Sequence, residues 1–386
     1  MKSLAFTCYA LACCAAAALL GGCGGSQPPI GAPGRMPQVS AFERSSTDYR
    51  VLYSFGGGSD GANPVSALID VGGTLYGTTA AGGSYACPYQ LDSIYSPSCG
   101  TVFSITRGGT ENVLHVFGGY PNDGANPYAA LIDVKGTLYG TTGYGGIGGG
   151  CDYNSSFIDC GTVFSTTPTG TEKVLHTFRG YRTDGAFPVA ELVDVKHMLF
   201  GTTSSGGKYG YGTVFSITMG GIEKVLHNFS SYPNDGASPY AALIDVKGTL
   251  YGTTSYGGAH SCGYERGQYA GCGTVFSITP DGVEKVLHSF NSTDGANPAA
   301  ALIDAGGTFY GTTAHGGANG IGTVFSITLR GKEKVLHGFT GNDGAAPMAP
   351  LIDVGGTLYG TTSNGGADDD GTVFALKAAP ARAHRA

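Results

Sequence analysis

The chain of 386 residues contains no Trp, and only 13% of it is charged. No segment holds a helical period of apolar residues for three turns, which excludes helical bundles and coiled coils. There is no nucleophile elbow, phosphate loop, zinc motif or dinucleotide fingerprint, so no cofactor and no catalytic residue is assigned. The net charge of −7 argues against nucleic acid or an anionic membrane surface as the main partner. What the chain does have is 68 Gly, 23 Tyr and 18 Phe within 41% hydrophobic residues. Turn formers and strand formers in that proportion, with enough apolar mass for a large core, indicate an ordered all-β protein.

The N-terminus reads Met1, Lys2, an apolar run from Leu4 to Leu20, then Leu20-Gly21-Gly22-Cys23. A basic residue, a short hydrophobic stretch and small residues before a cut site form an export signal over residues 1–22, too short for an ordinary membrane span. The last four residues resemble a bacterial lipobox, which would make Cys23 the acylated new N-terminus. The other reading is plain secretion with cleavage near Gly22. Residues 23–48, rich in Gly, Ser, Gln and Pro, follow as a flexible tether.

After residue 50 one unit recurs: VLHxF, DGAxP, LIDV, GTLYGTT, GG and GTVFSIT. Six copies of VLxxF begin at Val51, Val113, Val174, Val225, Val286 and Val335, and six of GTVF at Gly100, Gly161, Gly212, Gly273, Gly322 and Gly371. Each unit offers four short strands bounded by Gly, Asp or Pro, which matches a propeller blade. The array opens on a fourth strand, Val51 to Phe55, and ends on a third, Gly371 to Lys377. This predicts a six-bladed β-propeller over residues 49–378, closed by the N-terminal strand joining the last blade, with a tail at 379–386.

These motifs resemble the Gloeobacter/Verrucomicrobia (GloVer-type) tandem repeats of exported bacterial proteins. The resemblance covers roughly residues 50 to 377 and carries over no activity. Departures are local: Tyr53 stands in place of His in the first copy, Phe200 in place of Tyr in the third, and Lys196-His197 in place of the usual turn glycines.

Strand alternation puts the tight turns on one face and brings DGAxP and the GG loops together on the other. Three GG loops are long and carry two Cys each: Cys87 with Cys99, Cys151 with Cys160, and Cys262 with Cys272. Cysteines that come in pairs, only with an insertion and always just before GTVF, indicate disulfides in an oxidising compartment; metal binding would need a recurring cluster. The recurring Asp of DGA is read as a turn cap, that of LIDV as a turn or blade-to-blade hydrogen-bond residue, the His of VLHxF as packed, hydrogen-bonded structure, and the Gly of LYGTT as room for adjacent sheets to approach closely. Asp368-Asp369-Asp370 lacks the alternating oxygen spacing of a Ca²⁺ loop, so no metal site is assigned.

Recognition should use what differs between copies. Tyr144, Tyr256, His315 and Asn364 vary just before GG, and Tyr128, Phe187 and Tyr240 vary beside the crossover Pro. Rigid loops bearing such side chains suit a glycan or protein ligand. The sequence therefore reads as a monomeric, non-enzymatic binding or scaffolding propeller, anchored by lipid at the outer membrane or cell surface, or else secreted or periplasmic. The alternative is an exported propeller enzyme: a polysaccharide hydrolase or lyase, or a quinone-linked oxidoreductase. Mass spectrometry of the mature N-terminal peptide should find Cys23 acylated, and Cys23→Ser should move the protein from the membrane to the soluble fraction. An unmodified Cys23 in the parent would refute the anchor.

Overall fold

The computed structural model describes residues 50–377, apart from 84–86, 88–98, 120, 148–150, 152–159 and 263–269. The expected signal, Cys23, the tether and the tail at 379–386 lie outside the described residues. From Val51 onward the secondary structure is antiparallel strand, with no α-helix among the described residues. Five four-stranded sheets and a final three-stranded one follow each other along the chain, each with its strands in sequence order.

The second sheet shows how the residues dictate this. Ile132–Val134, Thr137–Thr142, Thr162–Thr166 and Glu172–Thr177 are runs of β-branched and aromatic residues. Lys135 and Gly136 join the first two strands with φ of 54° and 82°, the paired left-handed conformation of a tight hairpin. Asp133 caps that turn, its carboxylate accepting the Gly136 N–H at 2.9 Å. In the third repeat Lys196 and His197 keep the same conformation, φ 54° and 66°, without a glycine. There the Asp194 carboxylate accepts the His197 N–H at 2.8 Å.

First strands of consecutive sheets lie side by side, Ile69–Val71 beside Ile132–Val134, then Val193–Val195, then Ile244–Val246. They are therefore the inner strands of a propeller-like stack, and the VLHxF strands are the outer ones. Each core cluster is shared between two sheets: Tyr76, Val102 and Phe117 of the first pack on Leu131, Leu138 and Phe164 of the second.

One aromatic contact repeats at every junction. The Phe ending each VLxxF meets the Phe of the next GTVF edge-on: Phe117 with Phe164 at 5.1 Å, Phe178 with Phe215 at 5.1 Å, Phe229 with Phe276 at 5.2 Å and Phe290 with Phe325 at 5.0 Å. The glycine of LYGTT makes the slot for the second ring. A Cβ on Gly201 would stand 2.7 Å from Phe215 Cζ and 2.8 Å from Leu192 Cδ2. Sequence reading assigned these glycines to close approach between sheets. The structure places the approach inside one sheet, with the ring of the third strand lying over the second.

The last sheet differs. It ends at Thr372–Lys377 with three strands, and Val51–Phe55 is in no strand among the described residues, so no fourth strand of that sheet is described. Instead Val51–Phe55 is held on the first sheet, Phe55 meeting Phe103 edge-on at 5.0 Å. That is the seat a preceding VLxxF strand takes at the other junctions. The outward side of the last sheet is bare: Val373 is 81% exposed, where its counterpart Val324 is 0%.

Gly201→Ala should cost about 1–3 kcal/mol through overpacking against Phe215 and Leu192, read as a lower unfolding midpoint. Gly220→Ala, whose new Cβ would meet only Thr218 Oγ1 at 3.8 Å, should leave the midpoint nearly unchanged and serves as the control.

Candidate binding face

In every repeat the DGA segment pairs with the residues around GG. Gly124 and Ala125 pair with Gly145 and Tyr144, and Gly236 and Ala237 with Gly257 and Tyr256. Single bridges join Ala62 to Ala81, Ala186 to Ser205, Ala296 to His315 and Ala345 to Asn364. The two loop sets thus share one face, as strand alternation required. The residue opposite the DGA alanine is the position that sequence reading singled out in four repeats.

The loops are closed by disulfides whose Cα atoms stand 5.1 Å apart for Cys87–Cys99, 5.4 Å for Cys151–Cys160 and 5.2 Å for Cys262–Cys272. All three separations suit a bridge. The bridges fit an oxidising periplasmic or extracellular setting. Among the described residues no helix is long and apolar enough to cross a membrane.

Three candidates converge between the second and third repeats. The Tyr144 and Phe187 rings meet edge-on at 5.3 Å. The Tyr128 ring lies over Gly143, where a Cβ would come within 3.1 Å of it. Tyr128 is 37% exposed, and Tyr144 and Phe187 are half-buried. Phe187 sits at φ 58°, a left-handed conformation unfavourable for a bulky side chain. The same position is Asn63, Asn126 and Asn297 in three other repeats, at φ 54–56°, and Ser238 and Ala346, at φ 54° and 51°, in the remaining two. Asn126 and Asn297 also donate from Nδ2 to the carbonyls of Ala80 and Ser255 in the preceding repeat. Phe187 forgoes both advantages and gains the Tyr144 contact. Tyr240 is 44% exposed and Tyr256 is half-buried in the fourth repeat, while His315 and Asn364 are exposed in the fifth and sixth. These four occupy equivalent places around the face rather than joining the first cluster.

A second constellation lies on the outer strands. His115, His176, His227 and His337 stand 2.8–3.0 Å through Nε2 from Asp123, Asp184, Asp235 and Asp343 of their own repeats, and His288 stands 3.2 Å from Asp294. The Asp also caps its turn, as Asp123 does by accepting the Gly118 and Gly124 N–H groups at 2.8 and 2.7 Å. Each imidazole meets the following Phe edge-on, His115 with Phe117 at 4.8 Å. The histidines are hydrogen-bonded or packed as their strand position implied.

The Glu opening the next repeat's outer strand reaches the same spot. Glu172, Glu223, Glu284 and Glu333 each bring a carboxylate oxygen within 4.8 Å of the His and Asp ligand atoms of the preceding repeat. Their Oε1 atoms are buried and have no hydrogen-bond partner. Burial, together with the neighbouring Asp, pushes these four carboxyls up to about 7, against the opposing pull of the nearby His. Burial likewise works against ionisation of Asp184, but the His176 and Arg179 hydrogen bonds outweigh it and hold that carboxyl below its ordinary value. Sequence reading missed the Glu. Its signal was present: Glu and Val alternate onto one side of EKVLH, toward the side His also takes.

Among solved structures the chain is similar to a putative 6-phosphogluconolactonase from Bacteroides uniformis, at 13% identity and a TM-score of 0.47 over 82% of this chain and 85% of that one. It is also similar to the quinohemoprotein alcohol dehydrogenase of Comamonas testosteroni, at 14% identity and a TM-score of 0.44 over 79% and 52%. Neither likeness extends beyond fold. No curated protein matches the sequence. The Gloeobacter/Verrucomicrobia repeat model matches residues 89–264 and 264–384, most of the array that the VLHxF, LYGTT and GTVF motifs define, and it is to this repeat family that the chain belongs.

Proposed function

We propose that the protein is a non-enzymatic binding propeller of the bacterial cell envelope, anchored by lipid at Cys23, that takes a glycan or protein ligand on its loop face. The observation that carries this reading is the aromatic cluster of Tyr128, Tyr144 and Phe187. An unfavourable backbone conformation kept at the bulky Phe187, where Asn, Ser or Ala stands in the other repeats, is the kind of local cost that recognition sites bear. Flat, partly exposed rings on paired loops offer a rigid platform for a sugar face or an apolar peptide side chain.

In this reading six blades close into a ring and the chain is a monomer. The bare outward side of the last sheet, with Ile352 and Val354 about as exposed as Val51, is the surface that closure would cover. Blade-one register, in which Thr101 pairs with Val116, maps Thr372 onto Ser54.

Two experiments test the proposal. A glycan array and an envelope-protein pull-down should each be run with the mature protein and with Tyr144→Ala/Phe187→Ala. A ligand whose affinity falls at least about tenfold in the variant supports the reading, on the scale of a well-packed hot spot. Turnover of an envelope polysaccharide would replace it with the enzyme reading. For closure, Ser54→Cys/Thr372→Cys should cross-link within one chain on mild oxidation. Cross-linked dimers at low protein concentration would overturn the ring.

A further inference from the structure

We infer that the junctions between consecutive repeats are divalent-metal clamps, each built from the His and Asp of one repeat and the Glu of the next. The four complete sets are His115, Asp123 and Glu172; His176, Asp184 and Glu223; His227, Asp235 and Glu284; and His288, Asp294 and Glu333.

The donor chemistry selects the class of ion. One imidazole with two carboxylates suits a borderline first-row cation such as Zn²⁺ or Mn²⁺ better than Ca²⁺, which prefers oxygen alone. Ligand atoms around such an ion stand roughly 3–3.5 Å apart, given metal–ligand bonds of about 2.0–2.2 Å. The His–Asp separations of 2.9–3.0 Å at the first three sets are already near that spacing. Each Glu oxygen lies within 4.8 Å, so a side-chain rotation closes the set.

Two further observations point to a ligand. The Glu Oε1 atoms of all four sets are buried and unpartnered; Glu111 Oε1 at the Tyr53 junction is too, but there no imidazole completes the set. His288 Nε2 is also buried without a hydrogen-bond partner, although Asp294 Oδ2 is 3.2 Å away. A way in exists at the second set, where a cavity of about 500 Å³ is lined by His176, Asp184, Arg179 and Ile147.

The first junction is an internal control. Tyr53 replaces the His there, and its hydroxyl donates to Asp60 at 2.9 Å beside Glu111. That hydrogen bond raises the phenol to about 12, so the group does not become an anionic ligand near neutral pH.

The test is equilibrium dialysis of untagged, metal-stripped protein against Zn²⁺ and Mn²⁺, with melting curves in chelator and in each metal. About four ions per chain, with a melting midpoint above that in chelator, are expected for one of the two metals. Glu172→Gln/Glu223→Gln keeps side-chain size and removes two carboxylates. It should bind about two ions at the same concentration while melting no lower than the parent in chelator. No micromolar binding of either metal, or unchanged stoichiometry in the folded variant, would overturn the clamp and leave the Glu as a buried acid. Neither result bears on the loop-face ligand, because these residues lie outside the Tyr128, Tyr144 and Phe187 cluster.

Discussion

The stack depends on a ring meeting a ring across each junction, and on a missing side chain that lets this happen. Without a Cβ at Gly140, the Phe164 ring can lie flat over its own sheet and still present an edge to Phe117 of the sheet before. Because the slot is cut inside one sheet, each sheet is finished as a packing surface before it meets its neighbour. Buried threonine pairs tie the same two strands at the loop end: Thr142 with Thr162 and Thr203 with Thr213, each at 2.8 Å between hydroxyl oxygens. Nearest-neighbour contacts of this kind make stability roughly a sum over junctions.

The architecture was legible because its signals are local and repeated. Turn glycines, β-branched runs and copy number announced short antiparallel strands, and the Asp of LIDV announced its own hairpin cap. Strand alternation alone placed DGA beside GG, which the Ala125–Tyr144 pairing bears out. Less legible was anything that depends on stagger between sheets. Glu172 lies 57 positions along the chain from His115, and only the offset of one sheet against the next brings them together. The role of the LYGTT glycine was misjudged for a related reason: sequence shows that a side chain is absent but not which ring fills the space. The Tyr144–Phe187 contact crosses a junction too, so the variable positions could be named but not grouped.

Repetition and variation divide the molecule between them. The outer strands carry the same His and Glu chemistry at successive junctions, while the loop face changes from Tyr144 to Ser205, Tyr256, His315 and Asn364 at one paired position. Identical junctions hold the sheets in a fixed relation, and that relation gives the varied side chains a rigid setting.

The GG loops rest on a small gate of hydrogen bonds. The N–H of the GTVF glycine returns to the first GG glycine in every repeat, from Gly161 to Gly145 in a long loop and from Gly212 to Gly206 in a short one, both at 3.2 Å. Whatever lies beyond that gate is insulated from the strands below it. Evolution can therefore lengthen, shorten or exchange these excursions one repeat at a time, as modular grafts on an unchanged foundation.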